Sequence, residues 1–226
     1  MTETTISVQG HHSAWYPAER ATVTIAVSFD GPTREPVFTA ASASLDAVRA
    51  TVEGLHDPST GPITWWSTNS VRVWSQRPWN KDGKQLAAVH HAAFELVAKF
   101  KDFEALSGWI EAVVVIPGTN VQSIDWTLTE ARETSVLTEA RSRAVKDAVS
   151  KATVYAQSIG LGSVTATAIA DPGMLGDGGA ASAQSMYLAK GGVTRGQALM
   201  GDGASLALKP EDIEVSASVD ARFVAR

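Results

Sequence analysis

A run of regularly spaced small residues in the second half of the chain constrains the fold more than any other feature. Between Arg132 and Gly160, one face of the predicted helix is formed by Val136, Ala140, Ala144, Ala148, Ala152 and Ala156. A spacing of four residues is typical of one helical face, and about 28 residues at 1.5 Å each give a rod of about 42 Å. Because alanine side chains are short, the pattern predicts a long helix that lies flat on a sheet, with Ala148 buried. Gly160 suits the C-terminal cap of this helix.

Other segments alternate between apolar and polar residues, which is typical of half-buried strands. The alternation predicts strands over most of 18–30, 64–76, 85–100, 121–131 and 211–224, with shorter strands at 6–10 and 164–169. Helical spacing predicts two further helices, at 35–54 and 103–115. The segment 85–100 is ambiguous, because its alanines favour a helix while its apolar residues also share one face of a strand.

This order of elements predicts an α+β fold, in which helices, one of them long and alanine-rich, pack on one face of a mostly antiparallel sheet. We expect a single domain over residues 1–226 with a Gly/Met-rich insertion loop at 172–209.

Composition and charge exclude several classes of function. The chain has 226 residues and no cysteine, which excludes disulfides, thiolate metal sites and cysteine catalysis. Nineteen basic and 24 acidic residues give a net charge of −5, so charge provides no basis for nucleic-acid binding. Residues 1–5 carry no Lys or Arg, and no apolar run follows them. We therefore expect no signal peptide, no membrane-spanning helix and a cytoplasmic location.

The sequence indicates neither a metal site nor a cofactor site. The pairs His11–His12 and His90–His91 are adjacent on predicted strands, so the two members of each pair point to opposite faces. Residues 176–181 match G-x-G-x-x-A, but Arg195 stands about where a dinucleotide site needs an acidic residue. No nucleophile or nucleotide-binding motif stands out, so we expect that the protein is not an enzyme and binds no cofactor.

A group of aromatic residues in the predicted hairpin is the first candidate for a ligand or packing surface, and it consists of Trp65, Trp66, Trp74 and Trp79. Tryptophans stack on sugars and bases, and they also fill cores and subunit interfaces. Trp65 and Trp66 are adjacent on a strand and point to opposite faces, so at most one of them contacts any given ligand.

The loop at 172–209 is the second candidate, as a subunit contact. It is rich in glycine but keeps several large apolar residues, namely Met174, Leu175, Met186, Tyr187, Leu188, Leu199 and Met200. Methionine suits adaptable contacts between surfaces. Our hypothesis is that this loop becomes ordered by packing on a neighbouring subunit; the alternative is a mobile surface loop.

Three segments together resemble a known family, the SIMPL domain or DUF541, which includes periplasmic immunogenic proteins of Gram-negative bacteria. The most specific segment, in the long helix, reads Ala140-x3-Ala144-x2-Asp147-Ala148-x2-Lys151-Ala152-x2-Tyr155-Ala156-x3-Gly160-x-Gly162. Val8-Gln9-Gly10 is similar to the family's opening V-x-G strand, and residues 210–219 are similar to its closing strand. The similarity covers residues 5–224.

The resemblance implies an α+β fold, symmetric homo-oligomers and no established catalytic residues, and it favours a strand at 85–100. The chain departs from the family in its tryptophans, and we expect it to depart also in lacking a signal peptide. We therefore expect a bacterial, non-enzymatic protein that forms homo-oligomers and acts as a scaffold, a shell or a stress-related binding module. The alternative is a protein that binds a small molecule, either a sugar or an aromatic ligand, through the Trp-rich hairpin.

Overall fold

The computed structural model describes residues 3–79, 85–175 and 208–226 of the chain. Within those residues the elements are β1 (Thr4–Tyr16), β2 (Arg20–Gly31), α1 (Arg34–Leu55), β3 (Ile63–Gln76), β4 (Val89–Phe100), α2 (Phe103–Val114), β5 (Thr119–Thr127), α3 (Glu130–Ser158), β6 (Val164–Ala170) and β7 (Ile213–Ala225). The α+β class is confirmed. The described strands form two antiparallel sheets rather than one, and the chain divides into two compact units.

The first unit contains β1, β6, β7 and α3, with strand order β1-β7-β6. β1 pairs with β7 along its whole length, from Thr4 opposite Ala225 to Tyr16 opposite Ile213. The first strand is therefore longer than the predicted 6–10, because β7 continues to supply backbone partners beyond Gly10. The alanine stripe of α3 and the inner residues of β7 form the core of this unit.

The long helix agrees with its prediction. The Thr129 hydroxyl accepts a hydrogen bond from the Arg132 N–H at the start of α3. After the helix, Gly160 has a φ of +79°, a left-handed conformation that favours glycine. Ala148 is fully buried, as the stripe predicts.

The second unit contains β2 to β5 with α1 and α2, and its strand order is β3-β4-β2-β5. Residues 89–100 form the strand β4, so the ambiguous segment is a strand. Phe94, Leu96 and Phe100 lie in the core on the side of the sheet that α1 covers. The helices α1 and α2 are joined by a hydrogen bond of 2.9 Å from the Trp109 indole N–H to the Thr51 hydroxyl. No helix among the described residues is long and apolar enough to cross a membrane.

Candidate functional site

The backbones of β1 and α3 approach each other closely at Gly10. A Cβ atom added to Gly10 would lie 2.0 Å from the carbonyl oxygen of Ala144 and 2.9 Å from the Cβ of Ala148. No side chain larger than hydrogen fits at such distances. The V-x-G opening and the alanine stripe are therefore the two sides of one helix–strand contact.

Two side chains of α3 bind the backbone of β1 beside this contact. The Asp147 carboxylate accepts the His11 N–H at 2.8 Å, and the Lys151 ammonium donates to the Gln9 carbonyl at 3.0 Å. The two side chains also pair with each other at 2.7 Å. The Lys151 ammonium, and after it the His11 N–H, lower the pKa of Asp147. Since β1 is an edge strand, we call this region the covered edge.

The strand β3 lies at an edge of the other sheet, and among the described residues its second side is paired only by a single bridge from His56 to Ile63. It has 14 residues, of which Arg72 is the single charged one. Trp65 is 47% exposed, Val71 63% and Trp74 39%. We call β3 the open edge. Unpaired backbone groups beside apolar side chains are typical of a strand that pairs with another chain.

The structure places the four tryptophans in different environments. Trp65 lies opposite Lys99 and Trp66 opposite Ala98, so these neighbours face opposite sides of the sheet, as predicted. Trp66 packs against the core, with the Arg49 guanidinium 5.8 Å from its ring centroid. Trp79 follows the end of β3 and is 86% exposed.

Trp65 and Trp74 share a face of the sheet but lie far apart. Trp74 lies opposite His91 and stacks on it, with ring centroids 4.9 Å apart. Lys99 and His91, the partners of the two tryptophans, are eight residues apart on β4, which corresponds to about 27 Å. A small ligand bound at one of these tryptophans does not reach the other, so Trp65 and Trp74 do not form one shared aromatic site.

The histidine pairs serve local contacts. The His11 ring lies 3.0 Å from the Ser218 hydroxyl, and the His90 ring lies 2.7 Å from the Ser75 hydroxyl. Among the described residues no group of three or more His, Asp or Glu side chains could hold a metal ion.

Only the two ends of the predicted contact loop, 172–175 and 208–209, lie within the described residues. The Gly173 N–H donates to the Asp220 carboxylate at 2.7 Å, and Arg222 donates to the Leu175 carbonyl at 3.1 Å. Met174 is 73% exposed. The G-x-G-x-x-A segment at 176–181 lies outside the described part of the chain. The remaining candidate residues of the loop also lie outside it, namely Met186, Tyr187, Leu188, Leu199 and Met200.

Sequence reasoning identified the tryptophans of β3 but not the open edge itself. The signal was present, since a 14-residue strand with one charged side chain and no proline lacks two common protections of an edge. Whether a strand lies at an edge, however, depends on pairings between distant segments.

These features define an α+β protein with two antiparallel sheets, of which one has a covered edge and the other an open edge. The chain belongs to the SIMPL family, described as a protein of unknown function (DUF541), whose family model matches residues 6–223. No curated protein matches the chain.

Proposed function

We propose that this protein is a non-enzymatic subunit of a homo-oligomer, which acts as a scaffold or binding module, and that the open edge is a subunit contact. The observation that carries the proposal is the combination of exposed apolar side chains along β3 with a backbone edge that no described strand pairs. An isolated edge of this kind is a template for aggregation unless a defined partner covers it. A second copy of the same chain is the partner always present at matching concentration.

The exposed apolar groups lie on both faces of the open edge. Trp65 and Trp74 lie on the face opposite the helices, and Val71 lies opposite Phe94 on the helix side. Phe38 of α1, whose ring contacts Phe94 at a centroid distance of 6.1 Å, is 45% exposed. A neighbouring subunit that pairs with β3 would bury apolar surface on both faces, and this burial adds to the backbone hydrogen bonds.

The test is the mass of the purified full chain in solution. Light scattering and mass photometry should give an assembly whose mass is a multiple of the 23.8 kDa chain. Val71→Lys should shift this assembly towards smaller species, because an ammonium group would be desolvated in the contact. The matched control is Val115→Lys at the end of α2, where the side chain is 78% exposed and far from β3 in sequence. A wild-type chain that remains a monomer at tens of micromolar would refute the proposal.

A further inference from the structure

Two residues of β3, Thr64 and Asn69, have no partner on β4, and Asn69 lies in the middle of the strand. Thr68 lies opposite Leu96 and Ser70 lies opposite Glu95, so Asn69 between them has no partner on β4. An extra residue of this kind is a β-bulge, and it shifts the alternation of side chains by one position. The face away from the helices therefore changes from odd-numbered to even-numbered residues at Asn69.

Because of the bulge at Asn69, the side chains on the outer face of β3 follow a similar order from either end of the strand. This outer face consists of the residues opposite Lys99, Val97, Glu95, Ala93 and His91 of β4, which are Trp65, Ser67, Ser70, Arg72 and Trp74. A tryptophan therefore stands at each end, two paired positions beyond a polar residue, and Ser70 stands in the centre. At the bulge, the Ser67 hydroxyl donates a hydrogen bond to the side-chain oxygen of Asn69.

Two identical strands that pair in antiparallel fashion are related by a two-fold axis, and residues directly opposite each other share a face. An axis through Ser70 places Ser67 opposite Arg72 and Trp65 opposite Trp74. We propose that β3 pairs with β3 of a second copy about this axis, so that Trp65 contacts Trp74 of the partner subunit at both ends of the contact. This inference rests on the proposed function and names the surface and register of the oligomer contact.

The outer-face side chains favour this register over the two in which the axis lies two paired positions away. With the axis at Ser70, the single charged residue of β3, Arg72, lies opposite Ser67 of the partner subunit. An axis at Arg72 would place two guanidinium groups opposite each other, which is unfavourable. An axis at Ser67 would leave Trp65 opposite Ser70, without an aromatic partner.

The same register also fits the other face of the strand. There Val71, which is 63% exposed, lies opposite Thr68 of the partner subunit. The Asn69 bulges of the two copies both lie next to the axis in this arrangement. On either side of the axis, residues opposite each other therefore place their side chains on the same face. Backbone hydrogen bonds supply affinity in strand addition, and the cross-strand tryptophan pairs supply register.

The absence of cysteine from the chain allows a direct test of the register. Ser70→Cys places two thiols across the axis, where opposite Cα atoms of antiparallel strands are about 4.5–5.5 Å apart, a separation that suits a disulfide. Under mild oxidation this variant should form a covalent dimer with twice the 23.8 kDa chain mass, and reductant should abolish it.

Ser67→Cys is the matched control, since Ser67 and Ser70 are both half-buried on the same face. In the proposed register Ser67 lies four paired positions, about 14 Å, from Ser67 of the partner subunit, so no disulfide should form. The double variant Ser67→Cys/Arg72→Cys places cysteines directly opposite each other and should restore the covalent dimer. If circular dichroism shows that Ser70→Cys does not fold, the double variant by itself tests the register.

The outcomes separate this inference from the proposed function. Rapid cross-linking of Ser70→Cys and of the double variant, with little for Ser67→Cys, supports the register. A wild-type oligomer in which Ser70→Cys and the double variant stay uncross-linked, or in which Ser67→Cys cross-links equally well, overturns the register and leaves the oligomer in place. A monomeric wild type overturns both.

Discussion

The edge strands β1 and β3 have almost the same length, 13 and 14 residues, yet their exposed sides differ. At the covered edge, Asp147 and Lys151 of α3 bind the backbone of β1. At the open edge, no described strand pairs with β3, and tryptophan and valine side chains are exposed. Since the two strands have similar lengths, the packing of the helix beside each strand decides which of these two edges is available to a partner.

The size of the buried side chains on each helix explains how this difference arises. The stripe of α3 consists mostly of alanine, and this helix approaches β1 closely enough for Asp147 and Lys151 to bind its backbone. The buried face of α1 carries three valines, Val37, Val48 and Val52, beside the small residues Ala41 and Ser44, so larger side chains lie between that helix and its sheet. α1 packs mainly on β2 and β4, and the edge strand β3 receives little cover from it.

Of the substitutions at the covered edge, Gly10→Ala should lower the free energy of unfolding most, because it forces α3 away from β1. The added methyl group would overlap the Ala144 carbonyl and the Ala148 side chain. We expect a loss of about 3 kcal/mol in the free energy of unfolding, measured by chemical denaturation. Gly108→Ala is the control, since a Cβ there meets nothing within 4 Å, and it should gain about 1 kcal/mol in the helix α2. Equal stability of the two variants would disprove the close contact.

A smaller effect is expected from Ala148→Leu, which overpacks the same contact from the helix side. Ala148 is fully buried, while the neighbouring Val149 is 40% exposed. Ala148→Leu should lower the free energy of unfolding by about 1–3 kcal/mol, and Val149→Leu should change it by less than about 0.5 kcal/mol. Thermal unfolding of both variants checks this, and an Ala148→Leu chain that melts like the wild type would place the stripe in solvent.

Local sequence patterns predict most of the helices and strands of this chain. Helical stripes and two-residue alternation depend on neighbours in sequence, so α3, α1, α2 and β7 could be located within a few residues. The length of β1 and the division into two sheets depend on pairing between distant segments. The segment now seen as β4 was ambiguous for the same reason, because both of its patterns bury the same apolar residues.

The candidate site was predicted only in part. Trp65 and Trp74 were predicted as part of a ligand or packing surface, and the structure shows them 47% and 39% exposed. Their separation follows from their partners on β4. In the sequence, Asp147 and Lys151 form a pair of opposite charges four residues apart on the long helix. Its contacts with the backbone of β1 depend on Gly10, which is more than 130 residues away in sequence. Such contacts leave no local pattern.

The smallest effect should come from Asp147→Asn, which removes the charge at the covered edge and keeps an acceptor for the His11 N–H. The pKa of Asp147 is lowered from its ordinary value of 3.8. The carboxylate therefore contributes stability above pH 3.8, and this contribution is lost as the pH falls through the lower pKa of the folded state. The Asp147 and Lys151 side chains are 34% and 42% exposed, so the loss at pH 7 should be only about 0.5 kcal/mol.

The wild type should lose more stability between pH 5 and pH 2 than Asp147→Asn does, and denaturant unfolding at each pH measures this difference. Glu139→Gln is the control on the same helix, because Glu139 forms a similar pair with Arg143 at 2.7 Å. That pair bridges two turns of α3, whereas Asp147 also binds β1, so Glu139→Gln should follow the wild-type pH profile more closely. If Asp147→Asn also keeps the wild-type profile, the charge at position 147 does not stabilise the covered edge. The helix would then cover β1 through the Gly10 contact and neutral hydrogen bonds alone.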